Sequence, residues 1–119
     1  MIECKKVFLD TAPLIYLLDG DLTWGTTMQE AVQYFIQKDI AMVSSVVTCM
    51  EYLVHPYRDD NHEKIDAFWN LLDACFINIC PVTKEIASLA AKLRSAYSSL
   101  KGMDALQISI ACFENCDVF

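Results

Sequence analysis

The stretch VFLDTAPLIYLLDGD, residues 7–21, decides the fold. Val7, Phe8 and Leu9 form a short apolar run of the kind buried in a strand. The run meets a helix start almost without a loop. Thr11 or Ala12 can cap a helix whose first turn holds Pro13, where a missing N–H is harmless, and Leu14, Ile15, Leu17 and Leu18 carry it to the turn DGD. Asp10 stands at the junction, a carboxylate between two apolar elements.

The same alternation continues along the chain. From about Thr26 to Lys38, Met28, Ala31, Val32, Phe35 and Ile36 keep helical period, and IAMV (40–43) is a short apolar strand. Ser44 and Ser45 open a helix that Pro56 is expected to stop. Asp60 to about Ala74 is an amphipathic helix, and FINIC (76–80) is a strand. Lys84 to Leu100 has the clearest helical period, broken by Gly102. A last helix spans about Asp104 to Glu114, and DVF (117–119) begins another buried strand. Strands apolar on both faces, alternating with helices, predict an α/β fold with a parallel sheet covered on both sides.

At 119 residues the chain fits one domain. It has no apolar run approaching the roughly 18 residues a membrane span needs, and no signal-peptide pattern follows MIECKK, so a soluble intracellular protein is expected. Cys4, Cys49, Cys75, Cys80, Cys112 and Cys116 sit among apolar residues in a chain poor in Gly and Pro, which fits reduced core thiols better than a disulfide framework. Their spacing lacks the CxxC pattern of a zinc site. The net charge of −7 argues against a broad basic nucleic-acid face, although a bound cation can reverse the local field.

Three acids occupy similar places. Asp10 follows the first strand, Glu51 lies on the helix after the second, and Asp104 opens the final helix. In a parallel sheet such positions border the crevice at the carboxyl ends of the strands. Each also has an ordinary explanation: Asp10 as a helix cap, Thr48 with Glu51 as a capping box, Asp104 with Gln107 as another. Three converging carboxylates repel by roughly 1 to 4 kcal/mol per pair at about 4 Å, so they must take up a proton or hold a cation. Hard oxygen donors favour Mg²⁺ or Mn²⁺ over zinc, and such a site suits phosphoryl chemistry. Ala12 stands where a dehalogenase-type phosphatase would carry its second Asp, which lowers that reading.

The ordered set VFLDTAPLIYLLDGD, SSVVTCMEYL, LKGMDALQISIA and NCDVF resembles PIN-domain ribonucleases, particularly the VapC-type toxins of toxin–antitoxin pairs. The resemblance spans essentially the whole chain. It implies a three-layer α/β/α PIN-like fold with a central parallel sheet, and a cytoplasmic, metal-dependent endoribonuclease using Mg²⁺ or Mn²⁺. It assigns Asp10, Glu51 and Asp104 as catalytic and metal-binding acids, with Thr11 and Ser45 or Thr48 as polar support. It further implies an RNA substrate, a cognate antitoxin and a homodimer. Family members usually continue the last strand into a fourth site residue, so residues 1–119 are expected to be a single domain stopping short of that position, Asp117 not taking the role. The competing expectation is a catalytically silent PIN fold kept for dimerisation or partner binding. A phosphatase of small substrates ranks last.

Other residues carry weaker signals. His55 and His62 fit a helix end and a polar surface. Trp24, Trp69, Tyr16, Tyr34, Tyr52, Tyr57 and Tyr97 fit core or interface better than base stacking. Lys5, Lys6, Arg58, Lys92, Arg94 and Lys101 are candidate phosphate contacts.

Overall fold

Val7 and Phe8 point to opposite faces of one strand, and that alternation builds two cores. The computed structural model describes residues 4–20 and 22–119, so Asp21 of the expected DGD turn and Met1–Glu3 lie outside the described residues. Strands β1 (Lys6–Phe8), β2 (Ala41–Ser45) and β3 (Ile77–Cys80) form a parallel sheet in the order β1-β2-β3. Val7 faces Met42, and Met42 faces Ile77. On the outer side of β1, Val118 makes an isolated parallel bridge to Val7, with Phe8 N donating to Val118 O at 2.8 Å. The expected final strand thus starts where a parallel sheet would add it.

Helices α1 (Thr11–Asp19), α2 (Gly25–Gln37), α3 (Val46–Arg58) and α4 (His62–Ala74) supply the larger core. There Val7, Leu9, Met42 and Ile77 meet Leu14, Val32, Leu53 and Phe68. The Tyr52 and Phe68 rings stack there, with centroids 4.7 Å apart. Helices α5 (Lys84–Ala96) and α6 (Gly102–Phe113) contribute to the smaller core, where Phe8, Val43 and Cys80 meet Ile86, Ile110 and Ala111. The period-two pattern of each strand therefore feeds both helical layers, giving the expected α/β/α fold.

Several boundaries differ from the sequence expectation for identifiable reasons. Asp10, not Thr11 or Ala12, caps α1. Ser44 and Ser45 remain in β2, and Ser45 then doubles as the cap of α3, so Thr48 is no capping residue. Pro56 does not stop α3: it sits in the last turn, buried, where a lost N–H disturbs one bond and its carbonyl accepts from Asn61 N at 2.8 Å. Helix α5 ends at Ala96, before Gly102, because Tyr97–Leu100 turn back on themselves, with Leu100 N donating to Tyr97 O at 3.0 Å. Gly102 then begins α6, whose cap position is Lys101, so Asp104 is a first-turn residue and not a cap.

All six cysteines are free; Cys49 and Cys80 are buried, but Cys112 is exposed. Of the aromatics, Tyr52 is core, whereas Trp24, Tyr34, Tyr57, Trp69 and Tyr97 are exposed. No described helix is long and apolar enough to cross a membrane.

Candidate active site

At the carboxyl end of β2 the chain buries polar groups where apolar ones would pack more cheaply. Ser44, Ser45, Thr48 and Gln107 are all at or below 2% exposure. Such burial is tolerable only if every donor and acceptor is matched. Ser44 Oγ donates to Leu9 O at 2.6 Å, tying β2 to the residue before Asp10. Ser45 Oγ accepts from Thr48 N at 3.3 Å and donates to Gln107 Oε1 in a short hydrogen bond. Gln107 Nε2 then donates to Thr48 Oγ1 at 2.6 Å and to Asp10 Oδ1 at 3.1 Å. One amide of α6 thereby joins β2, α3 and the end of β1.

Asp10 Oδ1 also accepts from Thr11 N at 2.7 Å. One carboxylate oxygen is thus held twice, while Oδ2 has no hydrogen bond among the described residues. Asp10 caps α1 through one oxygen and leaves the other available. Thr11 carries the link onward, its Oγ1 donating to Glu51 Oε1 at 2.9 Å. Glu51 is exposed on α3 and lines a cavity of about 270 Å³ with Asp19, Tyr52, His55 and Lys64. Within that cavity Lys64 Nζ lies 3.1 Å from Asp19 Oδ1, and Tyr52 Oη donates to the same oxygen at 3.1 Å. Burial, reinforced by the Asp19 charge, pushes the Tyr52 hydroxyl well up from its ordinary value, so it stays a donor.

Asp104 is exposed one turn before Gln107 on α6, so both occupy one face of that helix. It lines a separate cavity of about 510 Å³ between α5 and α6. Asp10 and Glu51 are therefore joined through Thr11, and Asp104 is related to Asp10 through the helix that carries Gln107. The supporting residues Thr11, Ser45 and Thr48 all enter the network. Sequence reasoning alone misses Gln107, because its spacing from Asp104 suggests only a capping box; a glutamine inside the apolar run ALQISIA is the available signal.

Asp117 belongs elsewhere. Its Oδ2 accepts from Lys5 N at 2.7 Å and Lys6 N at 3.1 Å, at the opposite end of β1 from Asp10. Those two backbone donors hold its carboxyl below the usual aspartate value. His62 is exposed and lies 3.0 Å from Asp60.

The PIN-domain family model matches residues 7–119. The chain belongs to the PIN-domain family. The PIN fold is also that of a solved structure described as a toxin-antitoxin complex from Klebsiella pneumoniae, with a TM-score of 0.73 and 22% identity over 94% of this chain and 82% of that one. No curated protein matches the chain.

The donors of this PIN domain suit a hard divalent cation in kind: carboxylate oxygens, with Asp10 Oδ2 open. Their placement is looser. Among the described residues, no group of three or more His, Cys, Asp or Glu is arranged to hold a metal ion. Glu51 and Asp104 are both exposed, so core packing does not fix their side-chain rotamers.

Proposed function

We propose that this PIN domain is a metal-dependent endoribonuclease, the VapC-type toxin of a toxin–antitoxin pair, acting in the cytoplasm. The observation that carries this reading is the Asp10 carboxylate, fixed through Oδ1 by Gln107 and Thr11 with Oδ2 left open at the carboxyl end of the sheet. Asp10, Glu51 and Asp104 would hold Mg²⁺ or Mn²⁺. The bound cation supplies charge neutralisation of a phosphate and a more acidic water. The chain's own part is positional: Gln107 keeps Asp10 an acceptor, Thr11 orients Glu51, and Ser45 and Thr48 hold the Gln107 amide in one sense.

An exposed apolar line on α3, comprising Val46, Met50, Val54 and Tyr57, supports a protein partner, either a second copy or the antitoxin. These four recur at helical spacing on a single face. The Klebsiella pneumoniae neighbour, solved as a toxin-antitoxin complex, lends further support to an antitoxin.

The test is cleavage of single-stranded RNA in Mg²⁺ or Mn²⁺ by wild type and by Asp10→Asn. The substitution is expected to reduce the rate at least a hundredfold while leaving the melting temperature near wild type. Equal rates in the two proteins would remove Asp10 from catalysis. The second reading, a silent partner-binding module, is favoured by the lack of three converging donors among the described residues. Calorimetric titration with Mn²⁺ separates them: uptake lost in Glu51→Gln supports the nuclease, and no uptake by wild type supports the silent module.

A further inference from the structure

The acidic total conceals a basic segment. Residues 84–101 hold Lys84, Lys92, Arg94 and Lys101 against Glu85 as the one acid, a surplus of three positive charges. Because the whole chain is −7, the remaining residues carry −10. All four cations are exposed, and all lie on α5 or in the turn leading to α6. A ligand drawn by charge to this protein would be steered to that edge if it were an anion.

The same edge contains a shaped site. The cavity of about 510 Å³ between α5 and α6 has apolar walls from Leu93, Leu100 and Ile108, with Tyr97, Lys101 and Asp104 also lining it. Tyr97 is 63% exposed, so its ring is not committed to the core. Arg94 Nε donates to Leu100 O at 3.2 Å, which pins the turn and sets a guanidinium beside the cavity. An apolar slot with an aromatic ring and neighbouring cations matches a flat group tethered to anionic linkers. Unstacked nucleobases of a single strand have that character, and duplexes keep their bases out of reach.

We infer that the α5–α6 cavity is a nucleobase subsite for single-stranded RNA, with Tyr97 stacking on the base and Lys101 and Arg94 contacting the flanking phosphates. The inference rests on the RNA-cleaving reading in one respect: Asp104 lines the cavity, so a base seated there brings its own phosphodiester toward a proposed catalytic acid. Charge favours RNA over an apolar side chain of a partner protein, because the slot alone would accept either, whereas Lys101 on its wall and Arg94 beside it attract a polyanion against the opposing charge of Asp104.

The test uses Asp10→Asn protein, so that RNA remains intact, and fluorescence anisotropy with a short single-stranded RNA of mixed sequence and its duplex across a salt series. Tyr97→Ala is expected to weaken single-strand binding about tenfold or more, with Tyr97→Phe near the parent. Lys101→Gln is expected to weaken binding and to reduce the steepness of the log–log salt dependence by about 0.7. Duplex RNA is expected to bind more weakly than the single strand. Unchanged single-strand affinity in both Tyr97→Ala and Lys101→Gln, with unchanged melting temperatures, overturns the subsite. Unchanged RNA affinity with loss of self-association in sedimentation assigns the cavity to a protein contact and also overturns it. The two proposals fail separately. Tyr97-dependent binding by a wild type that never cuts RNA removes the nuclease reading and keeps the subsite, whereas cleavage with an unaltered KM in Tyr97→Ala does the reverse.

Discussion

Gln107 Nε2 donates to Asp10 Oδ1 across 3.1 Å, joining the middle of α6 to the end of β1. The direction of that bond is chemically determined. An ionised carboxylate only accepts, so the amide must present nitrogen to Asp10, and Ser45 must then donate to Oε1. Flipping the amide would set oxygen against oxygen.

Replacing Gln107 should therefore be felt well beyond its own contacts. Gln107→Leu keeps volume but leaves buried hydroxyls of Ser45 and Thr48 without their partner, and a loss of about 2 to 4 kcal/mol is expected from chemical denaturation. Gln107→Glu keeps the shape and places a second carboxylate against Asp10. It also replaces the amide donor to Asp10 and Thr48 with an acceptor, so it should destabilise the fold at neutral pH although its volume is nearly that of glutamine.

Asp117 predicts a different pH response. Its native carboxyl is held below the ordinary value of 3.8 by the Lys5 and Lys6 N–H groups. A depressed native pKa means the unfolded chain binds the proton first, so the stabilisation is fully present above the ordinary value and is lost as pH falls through the native one. Asp117→Ala should accordingly melt below wild type at neutral pH, with the difference closing in acid. A constant gap from neutral pH into strong acid would show that the charge is not involved.

The thiols predict an ordering. Cys112 is exposed, whereas burial, followed by the neighbouring Glu114, pushes the Cys80 thiol up to about 11. With iodoacetamide at mildly alkaline pH, Cys112 should be modified in the native protein and Cys80 only after unfolding, read by mass spectrometry of the digested protein. The raised value also implies that Cys80 favours folding below its ordinary 9.0 and that this contribution is lost as pH rises toward about 11. Cys80→Ala should flatten that alkaline fall in stability.

The features legible from residues were those set by local period. Val7 and Phe8 face different cores because strand side chains alternate, and Leu14 is buried because its helix must cover the sheet. Asp10, Glu51 and Asp104 could be placed near helix starts by the same means. Tertiary compensation could not be read. Pro56 continues α3 because the missing bond falls in its final turn, and Tyr97 leaves helical geometry because the turn's own hydrogen bonds replace the helical ones. Gln107 was hidden for a related reason. A polar residue in an apolar helix becomes informative only when the groups that satisfy it, from β1, β2 and α3, are seen around it.

The bridge from Val118 to Val7, with Phe119 stacked on Phe8 at 5.1 Å, has a consequence in time. Val118 lies more than a hundred positions after Val7, and contacts between residues so far apart in sequence close a long loop and form late. As the protein emerges from the ribosome, the outer edge of β1 stays bare until residues 117–119 are released. During that interval an unpaired strand border is open to neighbouring nascent chains, and the arrival of Val118 closes it.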